Sequence, residues 1–325
     1  CIRSLRQLDY PNWEAIIIAG GPDGTLHLAQ SACSHDARFR VLEQKRLGKN
    51  AALNLGLSAA TGEVIALLDA DSVACSGWLR APVAPLDVEV RATTGNPHPL
   101  RPTPISLGEQ MERISAWEVH GASTLQGSGG IAFDRQVIQN LGGFPEDVYV
   151  GVDWDLNARL ETLGVVRAFC PKAVVRTERP ATLGEYWDNE LRWRRAHFAS
   201  LVRLSRHFLR GLIPTLTNLY IYALAWFTVA FAILAPAAAL IWSAVRHPAI
   251  VLWGVFLAWL LAHRAALAAE VAAYERDWRW LRLAWVPPVL RILALGACVR
   301  ATLAWRDQPA GFKGPRPQRS VNDLV

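Results

Sequence analysis

Glu63-Val64-Ile65-Ala66-Leu67-Leu68-Asp69-Ala70-Asp71-Ser72 is an apolar run of strand length that ends in two carboxylates. A run this rich in Val, Ile and Leu reads as a strand buried on both faces, although a short helix shares the pattern. As a strand it is expected at the centre of an α/β sheet. Residues two apart in extended backbone point to the same side, so Asp69 and Asp71 converge where the strand leaves the sheet, the usual ligand position in such folds. Two hard oxygen ligands there suit Mg2+ or Mn2+ carrying a diphosphate, because these ions combine a few carboxylates with phosphate oxygens. Without its context, the same Asp-x-Asp reads as a turn or a cap.

Outward from this stretch, Gly48 to Leu57 is helix-like and Ala59-Ala60-Thr61-Gly62 closes it with a C-terminal glycine. Cys1 to Leu8 reads as the end of a helix, Asp9 to Trp13 as a turn, and Glu14 to Ile18 as a strand. Ala19-Gly20-Gly21-Pro22-Asp23-Gly24-Thr25 is either a surface loop or a phosphate or nucleoside contact, and residues 26–47 hold a helix and a short strand. Beyond Asp71, Trp78 to Pro85 reads as helix or loop and Val88 to Thr94 as a strand. Gly95 to Pro99 and Pro102 to Pro104 are turn-rich, with His98 a loop residue. Ile105 to His120 is helical in pattern, and Glu109, Glu112 and Glu118 are expected mostly on a solvated face. Gly151 to Gly164 forms another helix, for which Asp153 or Asp155 is a candidate N-cap.

Over 325 residues the formal charge is +6, and 19% of residues are charged. The apolar excess falls after Gly211, while Arg192 to Arg210 and the C-terminal tail are basic. A basic belt beside apolar segments points to anionic lipid and a cytoplasmic face, and no nucleic-acid module is recognisable. The 5 cysteines lack metal-type spacing, which argues against a disulfide framework or a zinc site.

Residues 1–206 are expected to form a cytosolic domain and residues 207–325 a membrane domain. Leu219 to Val245 would reach roughly 40 Å as a helix, beyond the roughly 30 Å hydrocarbon core. His247 to His263 would reach only about 25 Å unless extended to Ala269. Two spans are therefore expected, at 212–245 and 247–269. The apolar segment 283–305 is interrupted by Arg291 and Arg300, with a kink expected at Pro287-Pro288, and is either spanning or interfacial.

The segment from Gly48 to Asp71 resembles the family 2 nucleotide-sugar glycosyltransferases, which carry a Gly-Lys, an Ala-Leu-Asn, a Gly-Leu, an apolar strand and an Asp-Ala-Asp in this order. The resemblance continues at residues 4–11, at Gln126 to Arg135, at Leu141-Gly142-Gly143-Phe144-Pro145-Glu146, at Asp153 to Leu160 and at Val174 to Leu183. Asn189-Glu190-Leu191-Arg192-Trp193 stands at the place of the Gln-x-x-Arg-Trp motif of processive synthases.

This likeness implies a GT-A nucleotide-sugar domain with a Rossmann-like mixed sheet, followed by transmembrane helices in the cell (inner) membrane. It implies inverting transfer from a UDP-sugar to a growing polysaccharide or other glycan. Asp69 and Asp71 would then bind metal and nucleotide, Lys49 would sit near the nucleotide, and Asp153 would be the general base, with Asp155 structural. The usual nucleoside carboxylate would be missing or displaced to Asp23. Asn189, Arg192 and Trp193 share a helical face and would grip diphosphate and acceptor; the competing role is an arginine belt on lipid headgroups.

Four departures accompany the likeness: the nucleoside carboxylate is missing or displaced, Val152 replaces a glutamate, Asn189 replaces a glutamine, and the family's first strand is expected to be missing ahead of Cys1. The rival readings are non-processive transfer to a lipid and a degenerate, inactive nucleotide- or glycan-binding membrane protein. Sugar, acceptor and oligomeric state are left open by these residues.

Overall fold

The computed structural model describes residues 1–45, 48–125, 130–146, 152–205, 212–241 and 246–304. A short helix α1 (Ile2–Leu5) leads to β1 (Ala15–Ala19), α2 (Thr25–Cys33) and β2 (Phe39–Glu43), with β1 and β2 paired in parallel. Then come α3 (Lys49–Ala59), β3 (Val64–Leu67), β4 (Ser72–Ala74), α4 (Arg80–Val83) and β5 (Val90–Pro99). Helix α5 (Pro104–Arg113) widens into a π-helical turn (Ile114–Val119) and is followed by β6 (Ile131–Asp134), α6 (Arg135–Asn140), α7 (Val152–Thr162) and β7 (Val166–Thr177).

The main sheet has 5 strands in the order β3-β6-β5-β7-β4. It is mixed, as expected, with β5 parallel to β7 and the other pairs antiparallel. The strand expected at the centre is instead at the edge, paired to β6 alone among the described residues. Its apolar run has another cause. Ile65 and Leu67 pack with Leu53 and Leu57 of α3 and the Phe133 core, while Ala66 and Leu68 face the opposite cluster around Trp78 and Val175. Both faces are covered, so an edge strand carries the same signature as a central one.

Gly95 to Pro99, expected as turn, continues β5. Pro97 and Pro99 lie two apart, so both missing N–H groups point to the same side. The β6 partner stops at Thr94, whereas pairing to β7 runs through Pro99 and ends with Leu100 N donating to Thr177 O at 2.8 Å. The prolines thus sit where no ladder bond is required.

Helix α8 (Leu183–Ser205) leads to α9 (Leu212–Ile241), α10 (Arg246–Glu275), a 3-10 turn (Trp278–Leu283) and α11 (Val286–Leu303). Tyr220–Ala238, Ile250–Glu275 and Val286–Leu303 are long and apolar enough to cross a membrane. The last positions of the expected 212–245 span, 242–245, lie outside the described residues. α10 runs well past the expected stop at Ala269, because Arg264 does not interrupt it: its guanidinium pairs with Glu112 at 3.6 Å.

Pro287 and Pro288 open α11 instead of kinking it, as suits the first turn of a helix, where N–H groups have no helical partner. In α10, Ala268, Val271 and Ala272 are fully buried near its C-terminal end, while half of the α11 span is buried in the protein. It packs on Ile105 and Tyr186 through Val286 and Leu290, and on Tyr222 and Ala225 of α9 through Leu295 and Cys298. On α5, Met111 at the same time meets Ala268 and Val271 of α10. This covering explains why Glu109, expected on a solvated face, is buried at 7% exposure.

Candidate active site

Helix α3 begins at Lys49 after Gly48, whose φ of +104° favours glycine. A cation in a first helical turn opposes the helix dipole. Here it is held by Asp69, with Nζ to Oδ1 at 2.5 Å. Asp69 and Asp71 lie just past β3, in a turn closed by Ser72 N donating to Asp69 O at 3.0 Å. One helical turn along α3, Asn54 grips the Gly-Gly-Phe-Pro segment at Phe144. Its Nδ2 donates to Phe144 O and its Oδ1 accepts from Phe144 N, both at 2.8 Å, while Asn50 Nδ2 donates to Pro145 O at 2.6 Å. The Gly48–Asp71 and Leu141–Glu146 stretches are thereby fastened together.

Two half-buried arginines, Arg113 and Arg179, interact electrostatically with the acidic candidates. Arg179, between β7 and α8, lies within electrostatic reach of Glu109, Asp71 and Asp69; burial lowers its pKa and these carboxylates oppose the shift. Arg113 at the end of α5 is pushed down to about 9, first by burial and then by Arg179, against Glu109, Glu112 and Asp153. Both arginines remain cations at neutral pH. Burial raises the pKa of Glu109 between them, and its Oε2 has no hydrogen-bond partner among the described residues. The electrostatic partners of Arg113 and Arg179 thus come from α7, α5 and the turn after β3.

The other candidates are placed as follows. Asp155 is buried beside Arg159 at 3.7 Å, and Arg159 Nη2 donates to Leu141 O and Gly143 O at 3.2 and 2.7 Å. Asp155 thus anchors α7 to the Asn54-bound segment. Asp23 is exposed and accepts from Thr25 N at 3.0 Å, a local turn contact whose hydrogen bonds lower its pKa. On α8, Arg192 Nη2 donates to Asn189 Oδ1 at 2.7 Å and its guanidinium lies 6.0 Å from the Trp193 ring centroid. Of the stretch from Gln126 to Arg135, residues 126–129 lie outside the described residues.

The donor set at Asp69 and Asp71 fits a magnesium- or manganese-type ion that takes its remaining ligands from phosphate. Among the described residues no group of three or more His, Cys, Asp or Glu side chains forms a complete protein cage. Sequence reading missed Glu109, Arg113 and Arg179. The available signal was the one-turn spacing of Glu109 and Arg113 and the arginine inside the family-like turn after β7.

Residues 1–99 match the sequence pattern described as "Glycosyl transferase family 2". The chain is 28% identical over 223 residues to the poly-beta-1,6-N-acetyl-D-glucosamine synthase of Staphylococcus epidermidis, covering 62% of this chain and 52% of that one. It is 29% identical over 213 residues to the beta-monoglucosyldiacylglycerol synthase of Trichormus variabilis, covering 59% and 44%. The chain thus spans about half the length of these curated relatives. A likeness to S. aureus TarS has a TM-score of 0.44 at 13% identity, covering 87% of this chain and 51% of that one. Residues 1–99, which contain Lys49, Asp69 and Asp71, are thus similar to glycosyl transferase family 2, and they contribute β3, β4 and β5 to a mixed sheet.

Proposed function

We propose that the protein is a membrane-bound, inverting glycosyltransferase that moves a sugar from a UDP-sugar to a growing polysaccharide or other glycan acceptor. One observation supports this reading: Asp69 and Asp71 directly follow β3, and Lys49 at the start of α3 reaches Asp69 Oδ1 with its Nζ at 2.5 Å, so carboxylates and a cation gather at one place. Asp153, in the first turn of α7, is assigned as the acid-base group.

In the proposed reaction the acceptor hydroxyl oxygen attacks the anomeric carbon from the face opposite the diphosphate. A new carbon–oxygen bond forms as the bond to the phosphate oxygen breaks, and that electron pair leaves with UDP. Asp153 takes the acceptor proton. Asp69 and Asp71 are the residues that would hold Mg2+ or Mn2+, which supplies Lewis-acid neutralisation of the leaving diphosphate. Lys49 and Arg179 add positive charge at the same place, where charge develops in the transition state. Arg192 and Trp193 are assigned to gripping diphosphate and sugar, through a planar fork and a ring face.

The basic residues of α8 and the Arg276, Arg279 and Arg282 loop favour a cytoplasmic α/β domain, with α9 and α10 as a membrane hairpin. A second reading, transfer to a lipid acceptor, is favoured by α11 docking directly on α5 and so bringing apolar helices beside the cleft.

The test uses the full chain in lipid nanodiscs with Mn2+ and a panel of UDP-sugars beginning with UDP-N-acetylglucosamine, reading UDP release and product length. Asp153→Asn is expected to lower transfer by roughly 10²–10⁴-fold. Transfer undiminished in Asp153→Asn would overturn the base assignment. A single sugar on lipid would select the second reading, and no transfer with any sugar would select the inactive one.

A further inference from the structure

The turn that joins α10 to α11 holds a residue in a conformation its side chain does not favour. Arg276 has φ +56° and is the one non-glycine residue in the left-handed region among the described residues. It stands just past the end of α10, where Asp277 N donates back to Ala272 O at 3.1 Å, a helix-ending hydrogen bond that ordinarily takes glycine at this place. Glycine would adopt the conformation without strain. An arginine held there points to a use for its charge.

The residues that follow sort by a period of three. Asp277 caps the 3-10 turn by accepting from Arg279 N at 3.0 Å, and in such a turn residues three apart stack in one row. Trp280 and Leu283 form the inner row and, with Ala284, pack on Met111, Ile114, Ala268 and Val271. Trp278 and Leu281 form a second row and are exposed, Trp278 by 67%. Arg279 and Arg282 form the third, also exposed, and Trp285 follows at 54% exposure. Arg279 pairs with Asp277 at 2.8 Å, whereas Arg276 and Arg282 enter no ion pair among the described residues.

Beside this turn lies a groove of about 560 Å³, lined by Ala258, Ala262 and Ala265 of α10 and by Ala284, Trp285 and Pro288. Its α10 wall belongs to a helix long and apolar enough to cross a membrane. On the same stretch Arg264 ties α10 to Glu112 of α5, so the groove sits where the helix passes from lipid to the α/β unit. Indoles beside arginines suit that level, because an indole pairs an apolar body with a polar N–H and a guanidinium fork matches phosphate oxygens.

We propose that the Arg276–Trp285 turn and this groove bind an anionic glycerophospholipid, its phosphate meeting Arg276 and Arg282 and an acyl chain lying in the groove against Trp285. This rests on the membrane placement of α10 and not on the transferase chemistry. Charge selects the occupant: a zwitterionic headgroup brings the two unpaired arginines no net charge, whereas an anionic surface is worth about fivefold in partitioning for each arginine. A lipid held here also ties the headgroup layer to α5, through the inner row on Met111.

The test places the full chain in phosphatidylcholine nanodiscs that contain a minor fraction of lipid brominated near the top of its chains, either phosphatidylglycerol or phosphatidylcholine. Bromine quenches tryptophan on contact, and the difference between the parent and Trp285→Phe isolates the Trp285 signal. Brominated phosphatidylglycerol is expected to quench that signal at a lower mole fraction than brominated phosphatidylcholine. Arg276→Gly and Arg282→Gln are each expected to cut this preference about fivefold, and added salt to erode it in the parent. Arg276→Gly relieves the backbone strain, so it is expected to melt no lower than the parent, which separates loss of the charge from loss of the fold.

Equal quenching by the two lipids in the parent leaves the membrane placement standing and overturns the site, as does a preference that survives both arginine substitutions. Quenching by neither lipid would mean that Trp285 does not meet lipid, which overturns the site and the placement of this turn together.

Discussion

The docking of α11 on the α/β unit turns on Gly108. A Cβ built there would meet Leu290 Cδ1 at 3.0 Å and come closer still to Val286 Cγ1, and both side chains are fully buried. Gly254 in α10 has nothing within 4 Å of the same position. The same Gly→Ala change at the two sites should therefore differ in sign. Helix propensity gains about 1 kcal/mol at either site. At Gly108 the added methyl must displace packed neighbours, at about 1–3 kcal/mol, so the net is a loss of about 1 kcal/mol. Gly108→Leu has no room for its side chain and should lose about 3 kcal/mol or more. At about 2–4 °C per kcal/mol for a domain of this size, Gly108→Ala should melt about 3 °C below the parent and Gly108→Leu about 10 °C below.

The assay is thermal unfolding of detergent-solubilised protein followed by tryptophan fluorescence, with Gly254→Ala as the control that holds or gains stability. If Gly108→Ala and Gly254→Ala shift together, and Gly108→Leu melts with the parent, the α5–α11 contact is not the close one described.

Two further perturbations probe how the cleft is held. Gly143 has φ +80° and its Cβ would lie 2.6 Å from Asn54 Oδ1, so Gly143→Ala should lose about 2 kcal/mol in the same melting assay. Asn54→Ala should lose about 1–3 kcal/mol, and the double variant less than the sum, because both act on one contact. Glu14 accepts from Thr61 N and Oγ1 at 2.6 Å and from Gly62 N at 3.2 Å; the Thr61 hydroxyl bond is the largest cause of its lowered pKa. A depressed folded pKa stabilises above the unfolded value, about 4.3, and the gain disappears as pH falls through the folded value. Glu14→Gln should therefore melt below the parent at pH 7 and level with it near pH 3. Equal offsets at both pH values would remove the ionic part of that account.

Much of this arrangement was legible in local sequence because local physics made it. Val64 to Leu67, the helix from Lys49, and the acidic first turn of α7 are set by side-chain period and near neighbours. What escaped was set at a distance. The edge position of β3 could not be read because helices and core cover both of its faces. The β5 prolines looked like turn residues because only the end of β6 makes their missing N–H groups harmless. Glu109 looked solvated because its cover is completed by α11, remote in sequence. Asp23, to which the nucleoside carboxylate was expected to be displaced, makes its described contact with its own turn at Thr25. The burial of Arg113 and Arg179, which lowers the pKa of both, likewise depends on segments remote in sequence.

The central claim is a donor site at Asp69 and Asp71, and it is tested most directly by calorimetric titration of UDP into the full chain. The parent is compared with and without Mn2+, and with Asp71→Ala. The account predicts binding with Mn2+ that disappears with chelator or with the Asp71→Ala substitution. Binding unaffected by either, or no binding to the manganese-loaded parent, would contradict it.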